Sequence, residues 1–129
     1  MRLGNFLQSF PACFPAGFAC DRQLCDIDMI KGIGTDIVEI DRIQGMLDRH
    51  GASFLERCFT PDEIEFAEKY KDPAVRYAGR WAAKEAVVKV LGTGFSKGIT
   101  FHDIEVLSLH TGQPYVQLSG IAAERAAEQ

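Results

Sequence analysis

Pro73 and Gly92 bracket a stretch with helical periodicity, from about Ala74 to Leu91, and the rest of the chain has to be arranged around it. Its second half runs from Arg80 into the turn Gly92-Thr93-Gly94. At about 100° per residue, Ala82, Ala83, Ala86, Val87 and Val90 fill one half of the helix and Arg80, Lys84, Glu85 and Lys89 the other. The first half is expected to pack and the second to present charge. Glu85 and Lys89 are four apart and so are neighbours on that face. Trp81 and Val88 lie between the charges, where they would dry the surroundings of the carboxylate and strengthen its charge partners. Gly92 stands where a helix C-cap glycine belongs. The glycines around Thr93 leave backbone free to approach a phosphate. Taken alone, the stretch also reads as a solvated helix face carrying Glu–Lys pairs, the commoner use of such a pattern.

A chain of 129 residues is one domain with room for a modest core. Its formal charge of −4 argues against nucleic acid as the main partner, because such domains carry a basic surplus on at least one face. An apolar content of 47% excludes a disordered chain. No apolar run reaches the roughly 20 residues of a membrane span, so a soluble protein is expected. Residues 1–28 differ from the remainder: Phe6, Phe10, Phe14 and Phe18 recur at helical spacing, but Pro11, Pro15 and Gly17 interrupt them. This segment is expected to be an extension without stable order, or an upstream start that translation does not use. A signal peptide is the alternative, weakened by the prolines and by the single basic residue, Arg2, ahead of the apolar stretch. Cys13, Cys20, Cys25 and Cys58 match no zinc spacing, which suits free thiols in a reducing cytoplasm.

From Met29 a self-contained pattern begins. Ile30 to Asp36 is expected to form a short strand with Gly32, Gly34 and Asp36 on one face, where something can approach closely. Asp36 is a candidate metal or catalytic carboxylate, or else a helix-capping residue. A helix is expected from near Ile40 to His50, ended by Gly51. Arg42 and Arg49, seven apart, share one of its faces, as solvated charge or as a docking patch for an acidic partner. Ser53 with Glu56, and Thr60-Pro61-Asp62-Glu63, read as capping boxes. After the glycine turn comes a loop whose Lys97 is placed to meet a phosphate, without the spacing of a nucleoside-triphosphate loop. Ile104 to Leu109 and Tyr115 to Leu118 read as a hairpin, and Ser119 as the cap of an alanine-rich helix. His102 and His110 sit in no nucleophile or zinc pattern, and no serine occupies a G-x-S-x-G elbow.

Four ordered stretches carry a resemblance. Gly32-Ile33-Gly34-Thr35-Asp36-Ile37 with Arg42, then Phe59-Thr60-Pro61-Asp62-Glu63, then Ala78-Gly79-Arg80-Trp81-Ala82-Ala83-Lys84-Glu85-Ala86 with Lys89, then Gly92-Thr93-Gly94, resemble holo-acyl-carrier-protein synthases of the 4′-phosphopantetheinyl transferase superfamily. The resemblance spans Met29 to Gln129, and motifs in order are far more specific than any one of them. It implies an α+β fold, with helices packed on a small, mostly antiparallel sheet. It also implies transfer of 4′-phosphopantetheine from coenzyme A to a serine of apo-acyl carrier protein, for fatty acid biosynthesis, releasing adenosine 3′,5′-bisphosphate.

By the same resemblance, Asp36 and Glu85 are the carboxylates that hold Mg2+. Glu85, directly or through a water it orients on the metal, takes the serine proton. Lys89 stabilises charge on the pyrophosphate, with Arg80 and Lys84 as further candidates, while Gly92, Thr93 and Gly94 let the nucleotide lie against backbone. Arg42 and Arg49 meet the acidic recognition helix of the carrier protein. Family members of this size assemble as trimers. The sequence departs from the family pattern in its first 28 residues, in Gln113 where a lysine is usual, and in ending before a last strand pair with a Ser-x-Ser/Thr-His motif. Lower stability and activity than in a chain with those strands are expected. The rival expectations are a binding or regulatory domain that keeps the coenzyme A and carrier-protein surface without catalysis, and a cysteine-based metal module.

Overall fold

The structure is a computed structural model and describes residues 30–129. The expectations for residues 1–28, including Cys13, Cys20 and Cys25, lie outside the described residues. Helix α1 spans Ile40–Cys58, α2 Pro61–Glu68 and α3 Pro73–Val90; a 3-10 turn, Phe101–Asp103, then leads into strands β1, Ile104–Ser108, and β2, Pro114–Leu118, and the chain ends in α4, Gly120–Ala127. The two strands pair antiparallel, Val106 opposite Val116, so the architecture is the α+β arrangement expected.

Ile30 to Glu39 has no regular secondary structure, against the expected strand. A strand exists only where a neighbour takes its backbone N–H and C=O groups, and the hairpin is two-stranded among the described residues. The segment lies along α3 instead. A Cβ at Gly32 would stand 2.7 Å from a Val90 methyl, and one at Gly34 would run into the Ala86 carbonyl oxygen. Only glycine allows this approach.

Gly51 ends helical geometry in α1 as expected, with φ 46° and ψ −125°, but the chain resumes as helix as far as Cys58. Since Gly51 is itself the break, Ser53 falls inside the second segment and does not open a new helix. The capping box of α2 is present in full: Glu63 N–H donates to Thr60 Oγ1 at 3.4 Å and Thr60 N–H to Glu63 Oε2 at 2.9 Å. Pro73 occupies the first turn of α3. At the other end, Gly92 with φ 69° lets its N–H reach the Lys89 carbonyl at 3.2 Å and that of Thr93 the Val88 carbonyl at 3.4 Å. This pair of bonds is a Schellman closure, which occupies carbonyls a helix end leaves orphaned. Ser119 precedes α4, but its side chain makes no capping bond; its N–H donates to the Asp103 carbonyl at 2.9 Å.

Two apolar clusters share α3. The first joins Ile43, Phe54, Cys58, Phe59, Ala67, Tyr77 and Ala78; the second joins Val88, Leu91, Ile99, Ile104 and Ala122. An aromatic row connects them, Phe54 to Trp81 at 5.6 Å, Trp81 to Phe101 at 4.8 Å and Phe101 to Phe95 at 3.8 Å between ring centres. The division of α3 into an apolar and a charged half is therefore corrected. Its buried stripe is Ala74, Tyr77, Ala78, Arg80, Lys84 and Val88, while Ala82, Ala83, Ala86, Val87 and Val90 are half-buried. Val88 belongs to the core and Trp81 to the aromatic row. The stripe includes a lysine because partners for its charge lie inside.

Candidate active site

The extended segment before α1 brings Asp36 to α3. Its carboxylate accepts from Lys89 Nζ at 2.5 Å, and the same ammonium donates to the Thr35 carbonyl at 3.0 Å. The Asp36 side chain is 17% exposed against 53% for Lys89, so the pair lies at the surface with its acid partly sheltered. Glu85, half-buried, stands one helical turn before Lys89, and Gly92 to Gly94 begin three residues after it. Asp36, Glu85, Lys89 and the glycine turn are thus gathered along the C-terminal half of α3. Among the described residues no three His, Cys, Asp or Glu side chains converge as a metal cage. Two carboxylates remain, hard oxygen donors of the kind that bind Mg2+ beside waters and phosphate oxygens.

Lys84 does not join this group. It is fully buried, and its ammonium donates to Glu63 Oε2 at 2.7 Å and to the Cys58 and Phe101 carbonyls at 2.9 Å each. All three donors of an ammonium are then in use, and none remains for a phosphate. Burial pushes its pKa down, against the upward pull of Glu63. Arg80 is 7% exposed and its guanidinium lies 4.1 Å above the Phe66 ring. Its Nε is buried without a partner. It lines a cleft of about 620 Å³ between α2, α3 and the hairpin, together with Tyr70, Arg76, Ser108 and His110. No hydrogen bond or ion pair among the described residues links Arg80 to Asp36, Glu85 or Lys89.

Arg42 and Arg49 are both exposed on the first segment of α1, where Arg49 Nε donates to the Gly45 carbonyl at 2.9 Å. Lys97 is exposed in the loop after the glycine turn, with φ 56°. In the sequence Glu63 reads only as a capping residue. Its Oε1 also accepts from Val106 N–H at 2.9 Å, which makes it the centre of a buried polar knot. The available signal was the lysine among alanines at position 84, a charge in a helix whose neighbours are core residues.

Two carboxylates, a lysine and a glycine turn thus lie along one stretch of α3 on an α+β scaffold. The model of the 4′-phosphopantetheinyl transferase superfamily matches residues 32–129. The chain is 54% identical over 99 residues to the holo-[acyl-carrier-protein] synthase of Cereibacter sphaeroides strain ATCC 17029, covering 77% of this chain and 72% of that protein. It is 50% identical over 96 residues to the protein of that name from Protochlamydia amoebophila, with 74% and 79% covered. Among solved structures, holo-[acyl-carrier-protein] synthase from Neisseria meningitidis superposes with a TM-score of 0.67 at 36% identity, over 78% of this chain and 79% of that one. The Helicobacter pylori synthase in complex with coenzyme A superposes with a TM-score of 0.65 at 35% identity, over 72% and 78%. The chain belongs to the 4′-phosphopantetheinyl transferase superfamily, in its holo-[acyl-carrier-protein] synthase group.

Proposed function

We propose that the protein transfers 4′-phosphopantetheine from coenzyme A to a serine of apo-acyl carrier protein, for fatty acid biosynthesis, and releases adenosine 3′,5′-bisphosphate. The observation that carries this reading is the delivery of Asp36 to α3 at Lys89, one turn from Glu85 and beside the Gly92 to Gly94 turn. The serine oxygen bonds to the β-phosphorus as the bond to the bridging oxygen of the pyrophosphate breaks. Glu85 takes the serine proton, directly or through a water. Lys89 offers charge to the departing phosphate, and the turn offers backbone. Asp36 and Glu85 would hold Mg2+, which when bound neutralises charge on the pyrophosphate. Arg80, which lines its own cleft and makes no bond to this group, is the further cation proposed for the nucleotide. The test is incubation with Mg2+, coenzyme A and apo-acyl carrier protein, read as the phosphopantetheine mass increment on the carrier. Binding of coenzyme A without that increment would leave a binding domain in its place.

A trimer goes with this reading. Ile30, Ile33 and Ile37 are 78%, 83% and 95% exposed on the segment that carries Asp36, a surface that association between copies would cover. Among the described residues no helix is long and apolar enough to cross a membrane. The free, buried thiol of Cys58 suits a cytoplasmic location.

Reversing Arg42 and Arg49 to Glu should raise KM for the carrier protein about tenfold or more at low salt and leave that for coenzyme A unchanged, because exposed charges act on encounter. Carrier kinetics indifferent both to the reversals and to added salt would place docking elsewhere. Gly34→Ala should lower kcat by about 10²-fold, since the new Cβ lifts the segment off Ala86 and carries Asp36 with it. Melting should hardly change, as the segment is mostly exposed. A folded G34A protein with normal kcat would show that the close approach is not needed.

A further inference from the structure

Lys84 stands one residue before Glu85 in α3 and has no exposed surface. Its three acceptors come from three places: the Cys58 carbonyl at the end of α1, Glu63 in the first turn of α2, and the Phe101 carbonyl in the 3-10 turn before β1. Glu63 extends the anchor, accepting from the N–H groups of Thr60 and Val106. One turn of α3 is thereby tied to every element of the fold except β2 and α4.

A helix turns about 100° per residue, so with Lys84 pinned inward, Glu85 projects about 100° and Lys89 about 140° away from it around the axis. Rotation of α3 about its axis and sliding along it are the two motions that would carry Glu85 and Lys89 away from Asp36. Apolar contacts of Ala74, Ala78 and Val88 resist such motion weakly, because they are non-directional. Three hydrogen bonds from one ammonium to separate elements resist both motions.

We propose that Lys84 is a positioning residue for the transfer reaction, touching neither coenzyme A nor carrier protein and acting by fixing the rotation of α3 so that Glu85 and Lys89 meet Asp36. This inference rests on the transferase reading above. It replaces the phosphate contact that the sequence suggested for Lys84.

Two variants test it: Lys84→Met, and the double variant Glu63→Gln with Lys84→Met, which leaves no buried charge unpaired. Each is assayed for kcat and KM, for coenzyme A affinity by calorimetry, and for its melting curve, at a temperature where it is folded. The double variant is expected to melt above the single one, because removing both charges avoids an uncompensated one. In both, kcat should fall about 10²-fold, the cost of a displacement of about 1 Å at the reacting groups. Affinity for coenzyme A should stay within about twofold, since no contact with it is lost. A folded double variant that binds coenzyme A ten times more weakly would overturn the proposal in favour of a ligand contact. A double variant whose kcat recovers together with its stability would overturn it in favour of a merely structural pair. Absence of transfer by the unmodified chain would overturn the transferase reading and this proposal together, whereas the two preceding results overturn this one alone.

Discussion

Glu85→Gln is expected to lower kcat for phosphopantetheine transfer by about 10²- to 10⁴-fold, the range that a positioned general base supplies. The substitution keeps the shape of the side chain and removes its charge. Glu85 is half-buried on the rim of α3 and belongs to neither apolar cluster, so the melting curve should not move. Asp36→Ala should produce a loss of similar size, since it removes the partner of Lys89 and the second oxygen ligand proposed for Mg2+ together. Mass spectrometry of the carrier over time measures both. Near-normal turnover by a folded Glu85→Gln protein would end the assignment of this site.

The second large effect is on stability. Glu63→Ala should cost about 3–5 kcal/mol, read from urea unfolding, because it leaves the Lys84 ammonium in the interior without its counter-charge. Two further donors, the N–H groups of Thr60 and Val106, lose their acceptor in the same step. Single domains have about 5–15 kcal/mol in total, so this one change should consume a large part of it. Asp62→Ala, at the exposed neighbouring position, provides the comparison. A Glu63→Ala loss below about 1 kcal/mol, within the range of surface pairs, would mean that the ion pair is not the anchor its burial implies.

The parts of this structure that could be read in the chain are those set by neighbours in sequence. The Thr60-Pro61-Asp62-Glu63 box, the proline start and glycine end of α3 and the hairpin before α4 each depend on a few adjacent residues. The parts that could not be read depend on distant ones. Lys84 reads as surface charge because Glu63, Cys58 and Phe101, its partners, are 17 to 26 residues away. Ile30 to Asp36 has the composition of a strand, but pairing is decided by a second segment and not by composition. Gly51 reads as the end of a helix and is instead a bend between two helical segments, since φ > 0 at one residue does not dictate the conformation of the residues after it. The proposed site combines both cases: Glu85, Lys89 and the glycines lie within one short stretch, whereas Asp36 meets Lys89 from 53 residues away.

The two apolar clusters are joined along α3, through the aromatic row and the Lys84–Glu63–Val106 knot, and Glu85 lies in the helix between Ala78 of the first and Val88 of the second. A ligand held at once by Asp36, Glu85 and the Gly92 to Gly94 backbone, as proposed, would add a further tie along this seam. By linkage, its binding energy is also added resistance to local opening at the seam. Substrate would then act as a temporary part of the core, and the interval between product release and the next loading is when that seam is held by the protein's own contacts alone.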